Sequence, residues 1–177
     1  MPSVARLRSH LDSKQSLYPA LHFATLELLP EKDLEDFPKA SQRCQEFWEC
    51  VGAQIPEWIY VREAKMTAGE VRRDFIHCHA IVLQALGRAG RALYATYPQD
   101  VRKRLQRLRQ VDWSRTNAQV WEGRAMLGGA MSKSGQNITL TANEIKRVLG
   151  IKLTSEEQAA ETAHMSVRQL PAKRAKK

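Results

Sequence analysis

The stretch TAGEVRRDFIHCHAIVLQALGRAGRALYATYP, residues 67–98, decides the fold because it holds the longest helical pattern in the chain. Thr67 and Glu70 form a capping box, in which the hydroxyl and the carboxylate each satisfy a free backbone N–H at a helix start. Pro98 cannot continue a helix. We therefore predict one long helix from Thr67 to about Tyr97. Its apolar stripe follows the spacing of one helix face, at Val71, Phe75, Val82, Leu86 and Leu93.

Gly87 and Gly90 interrupt this predicted helix three residues apart. Glycine inside a helix costs about 1 kcal/mol relative to alanine, so its use here calls for a reason. Because glycine has no Cβ, it lets another backbone approach closely. We expect either a close helix crossing or a kink at these two positions.

Helical patterns fill most of the chain on both sides of this stretch. Two of the further helices begin with capping boxes, Thr141 to Glu144 and Thr154 to Glu157, and only Trp58 to Val61 resembles a strand. The chain is predicted to be mainly α, a multi-helix orthogonal bundle at residues 1–165, followed by a basic tail at 166–177 that we expect to be disordered. The further helices are predicted at residues 17–29, 40–55, 99–111, 141–150 and 154–164.

Composition narrows the class of protein. The chain is 43% hydrophobic and 27% charged, which is typical of a globular protein. It has no apolar run long enough for a transmembrane helix and no apolar core of a signal peptide at its start, so we expect a cytoplasmic protein. Cys44, Cys50 and Cys78 lack the spacing of a zinc site or of a paired disulfide framework. No metal and no cofactor are predicted.

The net charge of +9 is concentrated in two segments. RKRLQRLR, residues 102–109, carries five cations and no anion, and RQLPAKRAKK, residues 168–177, carries five more. The rest of the chain therefore has a net charge of 9 − 10 = −1. Clustered cations favour nucleic acid, because each neutralised phosphate releases counterions. A solvated helix face and a solvated tail remain the alternative.

The stretch GGAMSKS, residues 128–134, resembles the end of a phosphate-binding P-loop. That motif requires glycines six positions and one position before the Lys-Ser pair. The chain has Leu127 and Ser132 at those two positions. A nucleotide-hydrolysing P-loop is therefore rejected.

A DNA-phosphate clamp survives this test. The residues around the glycines are hydrogen-bond donors of the types that hold DNA backbone, and they follow the basic helix directly. A polar connecting loop between helices explains the same residue types equally well. The candidate phosphate contacts are Arg102, Lys103, Arg104, Arg107, Arg109, Arg115, Arg124, Ser132, Lys133, Ser134 and Asn137.

A second polar cluster lies within the long predicted helix. It contains Arg72, Arg73, Asp74 and His77, with Arg73 and His77 four residues apart on one expected helix face. Asp74 and His77 would suit an acid–base pair, but we favour ion pairing that locks the helix against its neighbours. No nucleophile is placed beside them by the sequence, so no catalytic residue is predicted.

Three stretches together resemble the C-terminal region of DGQHR-domain proteins, the family that includes the DNA sulfur modification protein DndB. They are EVRRDFIHCHAIVLQALGRAG (70–90), VDWSRTNAQVWEGRAMLGGAMSKSGQNITLTANEIKRVLG (111–150) and LTSEEQ (153–158). The resemblance covers about residues 46–161. The DGQHR motif itself, which the family carries in an upstream α/β portion, does not occur among the 177 residues. Ala130 also stands where the family pattern has a residue such as arginine after Gly-Gly, which would remove one cation from the clamp.

This resemblance implies a role linked to DNA phosphorothioation, the exchange of a non-bridging phosphate oxygen for sulfur. It implies a DNA-binding regulator of the modification genes rather than an enzyme. The chain would then be a stand-alone helical module or the helical C-terminal part of a larger α/β protein. The expected partners are DNA and an upstream DGQHR-bearing fragment or other DNA-modification proteins. The alternative is a truncated scaffold whose DNA or nucleotide function lay in the upstream portion. A nuclease or nucleotide hydrolase is the least supported hypothesis.

Overall fold

The computed structural model of the chain describes residues 20–30, 35–132 and 134–169. It consists mainly of helices with one small hairpin, which confirms the mainly α prediction. None of the helices in these ranges is both long and apolar enough to cross a membrane. In chain order the elements are α1 (20–28), α2 (Phe37–Gly52), α3 (Pro56–Arg62), α4 (Ala68–Asp74), α5 (Ala80–Thr96), α6 (Val101–Leu105), a 3-10 helix (Gln106–Gln110), α7 (Ala118–Trp121), β1 (Met126–Leu127), β2 (Ala130–Met131), α8 (Gly135–Leu149) and α9 (Ser155–Gln169).

Helix α5 lies at the centre of the core. Its side chains Val82, Leu86 and Leu93 are fully or almost fully buried, and it packs mainly against α8. The predicted apolar stripe is therefore an interior surface. The same core receives Val51 from α2 and Leu108 from the 3-10 helix, so the basic segment is joined directly to the centre of the molecule.

The two glycines of α5 mark a close helix crossing, as expected. A methyl group at Gly87 would overlap the carbonyl oxygen of Ala24 in α1, and one at Gly90 would overlap Phe47 of α2 and Leu28 of α1. Backbone of α1 therefore rests directly on α5. No side chain larger than hydrogen fits at Gly87 without separating the two helices.

The single long helix predicted from Thr67 to Tyr97 is wrong. The capping box at its start is present, but α4 ends at Asp74, and Phe75 has an extended backbone with φ −125° and ψ 155°. Phe75 pairs with Ser114 in an antiparallel bridge, and the N–H of Ile76 donates to the carbonyl of Trp113 at 3.0 Å. This pairing with a distant segment outweighs the local helical preference.

Two further boundaries differ from the predictions. The segment Trp58 to Val61 is not a strand, because Pro56 stands in the first turn of α3 and starts a helix there. Helix α8 begins after Ser134, so the capping box predicted at Thr141 is wrong. Thr141 lies inside α8, fully buried, and its hydroxyl donates to the carbonyl of Asn137.

The end of α8 and the start of α9 were predicted correctly from local sequence signals. Gly150 ends α8 with a left-handed backbone of φ 72°. Thr154 and Glu157 exchange the two hydrogen bonds of a capping box at the start of α9. Helix α9 extends to Gln169, past the predicted end near His164, and residues 170–177 of the predicted tail lie outside the described residues.

Candidate nucleic-acid interface

The basic segment is a helix with an apolar inner side and a cationic outer side. Val101 and Leu105 of α6 and Leu108 of the 3-10 helix are buried, as the sequence predicted. The cations project outward because they occupy the remaining positions around the helix. Four of them are exposed to solvent: Arg102, Lys103, Arg107 and Arg109.

Arg104 differs from its neighbours because its guanidinium is used inside the molecule. It lies over the ring of Tyr97 at 3.4 Å from the centroid, and it donates to the carbonyls of Leu149 at 2.9 Å and Gly150 at 3.2 Å. A cation at these carbonyls satisfies the end of α8 and complements its dipole. Arg104 therefore docks the basic segment onto α8.

The other cations of the segment form fewer contacts within the protein than Arg104 does. Arg109 donates one hydrogen bond, to the carbonyl of Ala53 at 3.3 Å. Arg102, Lys103 and Arg107 take part in none of the hydrogen bonds or ion pairs between described residues, but the guanidinium of Arg107 lies against Gly150, beside that of Arg104. A shallow cleft beside them contains two amide side chains and one carboxylate, and its lining is Asp100, Lys103, Arg104, Gln106, Arg107 and Gln110.

Gly128 and Gly129, the first two residues of GGAMSKS, form the turn of the hairpin between β1 and β2. Gly128 and Gly129 both have positive φ, 60° and 74°, as a two-residue turn between antiparallel strands requires. The carboxylate of Glu122 accepts hydrogen bonds from both glycine N–H groups, and Arg115 donates to the carbonyl of Gly129 at 3.0 Å. The N–H groups that a phosphate cradle would offer are therefore already occupied.

The polar residues after the turn attach the hairpin to α8. Ser134 caps the helix by accepting from the N–H of Asn137 at 3.1 Å, and Ser132 accepts from the N–H of Ser134 at 3.2 Å. The amide of Asn137 donates to the carbonyls of Gly123 at 2.9 Å and Arg124 at 2.6 Å. These hydrogen bonds give the serines and Asn137 a structural use. Lys133 lies outside the described residues.

Arg124, predicted to contact phosphate, instead points into the protein and is 5% exposed. It donates to both carboxylate oxygens of Glu161 in α9 at 2.7 Å and to the carbonyl of Leu140 at 2.9 Å. Burial alone would raise the pKa of Glu161, but hydrogen bonds from Arg124 and Asn143 outweigh it and lower that pKa to about 2. A DNA contact by Arg124 would require breaking this pair.

Glu161 was not predicted as a site residue, although its three-residue spacing from His164 places both polar side chains on one face of a helix. It lies three residues before His164, and both are buried, so a polar stripe faces inward on α9. His164 also explains the glycine before Arg124. Gly123 has φ +77°, and a methyl group there would overlap the imidazole of His164.

The predicted cluster of Arg72, Arg73, Asp74 and His77 is divided by the end of α4. Arg73 donates both of its hydrogen bonds to the adjacent Asp74, and the pair is exposed. It therefore does not lock α4 against its neighbours, and neither residue shares a helix face with His77. Within the described ranges, no group of three or more His, Cys, Asp or Glu side chains is arranged to hold a metal ion.

His77 is fully buried and contacts α3 rather than the residues of α4. Trp58 donates to its Nδ1 at 2.9 Å, and Glu57 approaches its Nε2 at 3.3 Å. Burial, with a smaller effect from the nearby His79, lowers the pKa of His77 to about 3. His77 is therefore neutral near pH 7.

Arg72 and Arg115 lie near one another at the end of α4, where the N–H of Arg115 donates to the carbonyl of Asp74 at 2.9 Å. Arg115 was predicted to contact phosphate, whereas Arg72 was not. Burial raises the pKa of the Cys78 thiol, and the charges of both arginines oppose that rise. Burial lowers the pKa of His79, and the same two charges lower it further. Since the guanidinium of Arg115 also donates to the carbonyl of Gly129, Arg115 connects the end of α4 to the hairpin.

A family model for DndB, described as DNA-sulfur modification-associated, matches residues 6–152. The match covers well over half of the chain and begins upstream of the resemblance that starts near residue 46. No curated protein and no solved structure matches the chain.

Proposed function

The chain belongs to the DndB family of DNA-sulfur modification-associated proteins, and from this premise we propose that it binds DNA through its basic helix without catalysing a reaction. Family membership links it to the DNA sulfur modification system. DNA binding, and through it regulation of the modification genes, is the further step that we propose.

The proposal rests on the solvent exposure of the cations on α6 and the 3-10 helix. Arg102, Lys103 and Arg107 are exposed and form no ion pair with a described residue, so a phosphate would not have to displace a charged partner. Arg107 also lies against Gly150 at the end of α8. Gln106 and Gln110 add neutral donors to the same cleft. Such contacts would fix the protein on the backbone without reading sequence.

The geometry changes the predicted set of contacts. Arg104 and Arg124 are excluded because their guanidinium groups are held by α8 and by Glu161. Arg109 and Arg115 each give one hydrogen bond to a carbonyl and retain further donors. Lys133 stays a predicted contact.

A non-catalytic role is supported by the residues that would have to act as acid and base. Asp74 is exposed and its carboxylate is held by Arg73, which lowers its pKa. His77 is buried, neutral and directed toward α3. These two residues therefore do not form the acid–base pair considered from the sequence.

The salt dependence of binding to duplex DNA tests the proposal. The triple variant R102A/K103A/R107A should reduce the slope of log affinity against log salt by about 2.7, which is 0.9 for each lost phosphate contact. The matched control K39A/R62A/K65A removes three exposed cations that do not line this cleft and should keep the slope. Equal losses in both variants, or no loss in either, would contradict a localised contact surface.

A second candidate is an interaction module for other DNA-modification proteins. The apolar stripe from Val71 to Leu93 is largely buried and offers such a partner little surface. However, Phe23 and Leu26 of α1 and Phe37 of α2 are 55%, 41% and 76% exposed, which favours a protein partner. Failure of the wild-type chain to bind DNA at low salt, with co-elution of a modification protein, would select this candidate.

A further inference from the structure

We propose that the hairpin β1–β2 contacts base edges in the major groove of DNA and that Leu127 makes apolar contact there with the methyl group of thymine. This inference rests on the proposed DNA binding and assigns it a base-contacting element. Neither the family description nor the phosphate contacts provide one, since contacts to phosphate carry no direct sequence information.

Leu127 is an apolar residue at the end of β1 whose side chain is exposed to solvent. It is 65% exposed, whereas the preceding Met126 is 2% exposed. Nothing lies within 4 Å of a methyl group built on Gly128 or Gly129, so the space around the turn is open. Leu127 therefore stands next to the solvent-exposed tip of the hairpin.

The tip of the hairpin is held in place by hydrogen bonds, although it is exposed to solvent. Glu122 holds both glycine N–H groups, Arg115 holds the carbonyl of Gly129, and Asn137 holds the base of the hairpin. A braced element loses little conformational entropy when it binds, which favours recognition. The charge of Glu122 is directed at two N–H groups and so is partly offset near the tip.

The shape and surroundings of the hairpin fit duplex DNA. The major groove is about 12 Å wide and admits a two-stranded β-ribbon. Arg115, which donates to the carbonyl of Gly129 in the turn, supplies positive charge where the groove is bordered by phosphates. Five residues lie between Arg109 and Arg115, so their Cα atoms are at most about 20 Å apart, the length of about six base pairs at 3.4 Å each. This distance is short enough for one duplex to reach both the basic helix and the hairpin.

Thymine is the base that an aliphatic tip would distinguish. In the major groove, thymine alone presents a methyl group, while the other base edges offer hydrogen-bond donors and acceptors. Leu127 has no polar atom and can gain only from apolar contact. The inferred ligand is therefore the thymine edge of an A·T pair.

The test compares two duplexes of alternating A·T sequence, one with thymine and one with uracil, which lacks only the methyl group. Wild-type protein should bind the thymine duplex about four-fold more tightly, as expected for burial of one methyl group. Leu127→Ala should bind both duplexes equally while keeping the wild-type salt slope. Met165→Ala, which shortens another exposed apolar side chain, should keep the preference.

The outcomes separate this inference from the proposed function. A wild-type protein without preference for thymine, or a preference retained in Leu127→Ala, overturns the hairpin assignment. The salt slope of R102A/K103A/R107A would still report on the basic helix in either case. Absence of any DNA binding by the wild-type chain at low salt overturns both. Because Leu127 is exposed, its truncation should leave the far-ultraviolet circular dichroism spectrum unchanged.

Discussion

Arg124 brings a positive charge into the interior, where Glu161 matches it with both carboxylate oxygens. From the sequence alone this arginine resembled a phosphate contact, because it follows a glycine in a loop rich in polar residues. Its partner lies 37 positions away, and no local pattern reports that distance. Whether a cation is exposed or paired was therefore the least predictable property of the site.

Replacing Arg124 with alanine should lower the free energy of unfolding by about 3 kcal/mol, because removing one member of a buried ion pair leaves the other charge uncompensated. The loss should lie at the lower end of the usual range, since Asn143 and Arg147 still contact Glu161. Urea denaturation at pH 7 measures it. Arg73→Ala, which removes an exposed pair, is the control and should leave stability nearly unchanged; equal effects would show that Arg124 is not structurally paired.

His77 should make the fold less stable in acid. Its folded pKa of about 3 lies below the ordinary value of 6.5, so the unfolded chain binds a proton more readily. Stability is then fully present above pH 6.5 and is lost as pH falls toward 3, by about 2 kcal/mol between pH 7 and pH 5. Urea denaturation across this pH range measures the loss.

The variant His77→Gln keeps an acceptor for Trp58 and should flatten the dependence between pH 7 and pH 5. Some slope should remain, because burial also lowers the pKa of His79. His22→Gln, at an exposed position, is the control and should retain the wild-type profile. An unaltered profile in His77→Gln would assign the acid sensitivity to other groups.

Among the elements, those with local signals were predicted and those set by distant contacts were not. The capping boxes at Thr67 and Thr154 and the glycine stop at Gly150 are present. The break after Asp74 depends on pairing of Phe75 with Ser114, about forty residues on. Strand pairing across that separation leaves no trace in helical spacing. The start of α8 was misplaced because Thr141 matched a capping pattern while lying inside a helix.

The crossing of α1 and α5 predicts an unusual response to a glycine substitution. Gly87→Ala should lower the free energy of unfolding by about 1 to 3 kcal/mol, because the added methyl group overpacks the contact with Ala24. Ordinarily alanine stabilises a helix relative to glycine. Gly69→Ala in α4 has room for the methyl group and should not destabilise the fold. Thermal unfolding of the two variants compares them directly, and stabilisation by Gly87→Ala would contradict the close approach.

At the scale of the whole molecule, the sequence predicted the fold class, the family and the inward side of the basic helix. It also located the excess charge, because runs of cations are visible without a structure. It did not predict which of these cations are exposed and which form contacts within the protein. Arg104 docks α6 onto α8, and Arg115 connects the end of α4 to the hairpin. Both arrangements arise from packing between segments far apart in the chain.

The contacts of α9 have a practical consequence for where the protein can be shortened. The family match ends at residue 152, but Gly123 and Arg124 rest on His164 and Glu161, which lie beyond it. A fragment cut at the family boundary would keep the buried guanidinium of Arg124 without its carboxylate and Gly123 without the imidazole that it contacts. Expression boundaries chosen from sequence similarity would thus remove internal contacts, and a stable fragment should extend at least through His164.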